Sequence, residues 1–64
     1  MSNSYLTAQY MNKINLLKVK LSRTDYVALK YAEGAISEED YAPIKEQRAA
    51  WRDEINDLEG KLHE

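Results

Sequence analysis

The sequence has no cysteine, no phenylalanine, one proline and two glycines among its 64 residues. Without cysteine there are no disulfides to staple a small fold. The single histidine, His63, cannot hold a structural zinc site, which needs about four ligands. No apolar run approaches the roughly 20 residues of a membrane span. The start, MSNSYLTAQYMNK, shows no basic segment followed by an apolar core. It therefore reads as lacking a secretory signal. The expectation is a soluble, intracellular protein with no membrane association. At this length a chain buries only about 60% of its unfolded surface. Helix packing and self-association are the remaining sources of stability, so a homo-oligomer is expected.

The charge is small overall but unevenly placed. Residues 1–32 carry Lys13, Lys18, Lys20, Arg23 and Lys30 against Asp25, a net +4. Residues 33–64 carry four bases against ten acids, a net −6. Opposite halves suit a chain that folds back on itself or pairs antiparallel with a copy. The basic cluster of residues 13–23 could instead touch phosphate. With a net charge of −2, little aromatic interleaving and no binding motif, nucleic acid is not the expected partner.

Apolar residues recur at helical spacing. Tyr10, Ile14, Leu17 and Leu21 step by fours and threes, with Leu6 one turn earlier, which is a helix-packing seam. Ile44, Trp51, Ile55, Leu58 and Leu62 form a second stripe. Between them, TDYVALKYAEG (residues 24–34) opens on Thr24, a candidate N-cap, and closes on Gly34, a helix terminator. Ser37 with Asp40 three residues on resembles a capping box. The pattern predicts helices over about 4–21, 24–33 and 40–62. The first two could be one helix, since no glycine or proline separates them. The fold expected is all-α: a single domain over residues 1–64, built as a two- or three-helix antiparallel hairpin with coiled-coil-like packing. Both stripes could be buried within one hairpin, but so small a chain favours pairing with a copy through the Tyr10–Leu21 and Ile44–Leu62 seams.

Arg48 is the most informative residue. At about 100° per residue it falls inside the second stripe, and no acid lies three or four residues away. Arg52 likewise has no acid three or four residues away. A charge facing a seam needs a partner from elsewhere, and Asp25 and Glu33 are the candidates. Alternatively Arg48 buries its stem and keeps its head in water. Trp51, mid-stripe, reads as a core anchor. The five tyrosines, Tyr26 and Tyr31 among them, suit half-buried positions with a wet hydroxyl, or a binding face. Glu38, Glu39 and Asp40 are not spaced as a calcium loop and read as stabilising a helix N-terminus. No serine or threonine has an evident base, and no glycine-rich phosphate loop is present. The sequence therefore predicts a non-enzymatic protein with no metal or other cofactor.

Three stretches together resemble a pattern in short bacteriophage and prophage proteins. They are TDYVALKYAEG, YAPIKEQR (residues 41–48) and WRDEINDLE (residues 51–59). The pattern runs TDY, a lysine, EG, a spaced tyrosine, an arginine, then WR-x-x-IN-x-LE, as in tail-associated or other small virion and prophage proteins. The likeness covers about residues 21–59. It implies a helical hairpin in a phage context, with no catalytic residues to carry over. A structural or assembly role follows from it, with a phage structural protein as partner. A small regulator or inhibitor that binds a host protein is the alternative.

Overall fold

A computed structural model describes residues 4–63. Two helices account for nearly all of it: α1, Ser4–Ala32, and α2, Glu38–Leu62. They lie side by side and antiparallel in a rod with Cα extents of 51 × 15 × 14 Å. No strand occurs among the described residues.

The helix boundary expected at residues 22–24 is absent, and α1 runs through it. Thr24 does not cap a new helix. Its hydroxyl points back to the carbonyls of Lys20 and Leu21, each at 3.0 Å. A threonine that bonds the preceding turn stays helical, and nothing else in this stretch interrupts the backbone. Gly34 does act as the terminator. It adopts a φ of +79°, the left-handed region open to glycine. Its N–H donates to Tyr31 O at 3.0 Å, and the N–H of Ala35 donates to Lys30 O at 2.8 Å. This pair of bonds is a Schellman motif, which satisfies two carbonyls at the end of α1.

Five residues, 33–37, turn the chain. Ser37 then caps α2, its hydroxyl accepting from the Asp40 N–H at 3.0 Å. Glu38, Glu39 and Asp40 occupy the first turn, where the helix end is partially positive. The helix therefore begins at Glu38, two residues before the expected start, because the cap and the acids act together. Pro43 sits in the second turn and leaves the exposed Glu39 without its usual i+4 amide donor.

The two seams close on each other. Ile14, Leu17, Ile55 and Leu58 are buried, flanked by Tyr10, Leu21, Trp51 and Leu62. The seams are thus used inside one chain, the hairpin arrangement that the two stripes allow. Each buried aliphatic is worth roughly 1.5–3 kcal/mol. With only one such layer the hairpin is held by few side chains, so single contacts across it count.

Candidate interaction site

A constant register runs the length of the hairpin. Tyr10 lies near Lys61, Lys20 over Trp51, Asp25 beside Arg48 and Tyr31 against Tyr41. The 21 residues from Tyr10 to Tyr31 on α1 run against the 20 from Lys61 to Tyr41 on α2, so the antiparallel alignment holds to within a residue or two. The uneven charge of the sequence is used here. Lys13 pairs with Glu54 at 2.9 Å and Lys18 with Glu59 at 3.9 Å. These pairs are exposed and worth at most about 1 kcal/mol each.

Arg48 forms a clamp between the helices. One guanidinium nitrogen, Nη1, donates to Leu21 O at 2.9 Å and to Thr24 Oγ1 at 2.6 Å. The other, Nη2, donates to Asp25 Oδ1 at 2.8 Å. The arginine side chain is 12% exposed, while that of Asp25 is 66% exposed. The clamp thus covers most of the arginine and leaves the anion mostly in water. Of the two candidate carboxylates, Asp25 is the partner and Glu33 is not. Glu33 lies in the turn beyond α1, exposed and away from the level at which Arg48 crosses. Arg52 is exposed and forms no ion pair among the described residues, so the partner expected for it is not there. It sits at the edge of the stripe, where water neutralises it.

Tyr31 and Tyr41 stack with ring centroids 4.5 Å apart and planes 11° apart, closing the turn end of the hairpin. Beside them lies an open groove of about 470 Å³ whose lining includes Ala42, Lys45 and Ala49. No serine, threonine, cysteine or histidine lines it. Trp51 is half-buried against the core, with the Lys20 ammonium 5.9 Å from its ring. Tyr26 points the other way, 63% exposed, with the Lys30 ammonium 4.7 Å above its ring.

The exposed surface is lopsided. Eight large apolar residues are more than a third exposed: Tyr5, Leu6, Met11, Leu16, Val19, Tyr26, Leu29 and Tyr31. All eight are on α1 and none is on α2. At about 100° per residue they are spread around the helix: Val19 faces away from the seam, whereas Leu6 continues it.

Ile14, Leu17, Ile55 and Leu58 form the core; Tyr10, Leu21 and Trp51 flank it; Asp25 and Arg48 form the clamp. Glu33, Arg52 and Tyr26 belong to neither. Thr24 completes the clamp as an acceptor that the sequence suggested only as a cap. No group of three or more potential metal ligands occurs among the described residues. No described helix is long and apolar enough to cross a membrane. Comparison with protein-family models, curated proteins and solved structures finds no match.

Proposed function

We propose that this chain is a non-enzymatic helical protein of the phage or prophage type, working in assembly by helix–helix contact. One observation supports the reading above the others. α1 carries a full apolar face toward α2 and a second set of exposed apolar residues elsewhere, whereas α2 exposes no large apolar side chain. A helix apolar on more than one face is one that is covered on more than one face. Exposed apolar patches of this kind mark contact surfaces in small proteins. The sequence likeness at residues 21–59 supplies the phage context, and the clamp at Arg48 supplies a stiff base that presents α1.

The test is mass spectrometry of purified phage particles produced by the host cell. The expected result is this chain in the particle, at a ratio that survives washing in high salt. Recovery of particles without it overturns the assembly role. Binding of one host protein would then be the reading to pursue, by pull-down from the native host.

A further inference from the structure

We propose that the outer side of α1 seats one helix of a partner protein, an amphipathic helix that carries two carboxylates about one heptad apart among its apolar residues. The proposal deepens the contact reading above and rests on it. The row concerned is Leu16, Val19, Arg23, Tyr26 and Lys30, which step by threes and fours. At about 100° per residue these five fall within about 80° on the side of α1 away from Ile14 and Leu17. Leu16, Val19 and Tyr26 are 54%, 44% and 63% exposed. The polar Asn15 and Ser22 border the row on one side and Lys20 borders it on the other.

Two cations lie in this row with no acid to answer them. Asp25 is the only acid of α1, and Arg48 holds it on the seam side. Lys13 and Lys18 are likewise taken, by Glu54 and Glu59. Arg23 and Lys30 form no ion pair among the described residues. Lys30 is half-buried with its ammonium 4.7 Å above the Tyr26 ring, which holds the charge within the row. The two cations are seven residues apart, about 10.5 Å along the axis. A matching helix presents opposite charge at that spacing with apolar side chains between. Charges set into an apolar packing row select the partner and its alignment more than they add stability.

The pattern also decides the class of occupant. A second copy does not answer it: α2 exposes no large apolar side chain, and another α1 brings the same two cations. A helix lying on a lipid surface keeps its cations on the face opposite its apolar residues. Here the two kinds alternate within one row. A phosphate backbone would engage Arg23 and Lys30 and leave Leu16 and Val19 in water. A row about 80° wide has the width of a seam between two helices. From Leu16 to Lys30 it is about 21 Å long, or about four helical turns.

Fluorescence anisotropy with the full chain and synthetic helices tests the proposal. The probes are two labelled three-heptad peptides with leucine and alanine on the packing row. One carries two glutamates seven residues apart in that row, and its twin carries lysines there. The expected result is saturable binding of the glutamate peptide, about tenfold or more tighter than its twin and weaker in high salt. The double variant Arg23→Glu, Lys30→Glu is expected to reverse the preference. Leu16→Ser with Val19→Ser is expected to abolish binding of both peptides. Helical circular dichroism should be unchanged in each variant, since all four positions lie outside the core. Equal binding of the two peptides, no binding of either at millimolar concentration, or indifference to these variants overturns the proposal. Tighter saturable binding to vesicles of phosphatidylcholine and phosphatidylserine, or to duplex DNA, overturns it as well and gives the row to that partner. Particle composition is a separate readout, so failure with the peptides leaves the assembly reading standing, and a chain missing from particles leaves the peptide result standing.

Discussion

Arg48 reaches across the hairpin to Asp25 at 2.8 Å, yet the arginine side chain is only 12% exposed and that of the aspartate 66%. This asymmetry decides what the pair is worth. Removing a buried partner usually strands the other charge. Here the remaining carboxylate is already two-thirds in water, and Thr24 and Leu21 keep their partners within α1. Arg48→Met, which retains the apolar stem, is therefore expected to destabilise by only about 1 kcal/mol. Arg48→Ala also loses the packing of the stem and is expected to cost about 2 kcal/mol. Asp25→Ala should cost under about 1 kcal/mol. Urea titrations followed by circular dichroism give all three. A cost above about 3 kcal/mol for Arg48→Met would mean the clamp is far drier than its exposure indicates.

Two adjacent leucines are expected to behave oppositely. Leu17 is 4% exposed and Leu16 is 54% exposed. Leu17→Ala opens a cavity in a four-residue core and should cost about 2–4 kcal/mol. Stability for a chain this size is on the order of 3–10 kcal/mol, so the variant should melt far below the parent. Leu16→Ala should leave the unfolding of the dilute hairpin within about 0.5 kcal/mol. Thermal melts at low protein concentration distinguish them.

The two glycines predict opposite signs for one substitution. A Cβ at either position would meet nothing within 4 Å, so sterics with neighbours play no part. Gly34 has a φ of +79°, and Gly34→Ala should destabilise by about 1–2 kcal/mol from backbone strain alone. Gly60 lies inside α2, and Gly60→Ala should stabilise by up to about 1 kcal/mol. Urea midpoints moving in the same direction for both would show that the end of α1 is not held by the turn described here.

Ser37→Ala removes the one side-chain acceptor at the start of α2. The loss expected is about 1 kcal/mol. Ser37→Asp should recover most of it, since aspartate both accepts the Asp40 N–H and favours the positive helix end. Hydrogen exchange at Asp40 reports the cap directly, and unchanged protection in Ser37→Ala would exclude it.

The sequence was legible wherever local chemistry acts alone. The stop at Gly34, the cap at Ser37 and the two stripes follow from backbone conformation, side-chain reach and helical period. The continuity of α1 through Thr24 was not fixed in this way. Threonine caps a helix or bonds back within one, and propensity separates the two by fractions of a kcal/mol. Packing decides: α1 must be continuous for Leu21, Thr24 and Asp25 to lie together under Arg48. The same register excludes Glu33, which sequence distance alone left as an equal candidate.

What the sequence determined by itself is an all-helical chain with a turn near Gly34 and an arginine that its own helix cannot neutralise. These are statements about neighbours within four residues, where geometry is nearly invariant. Only the tertiary structure decided which surfaces were used up. By closing the Tyr10–Leu21 and Ile44–Leu62 stripes on each other, it turned the expected self-association seams into a core. It left the opposite side of α1 as the face open to a partner, because a helix can turn only one side to its neighbour at a time.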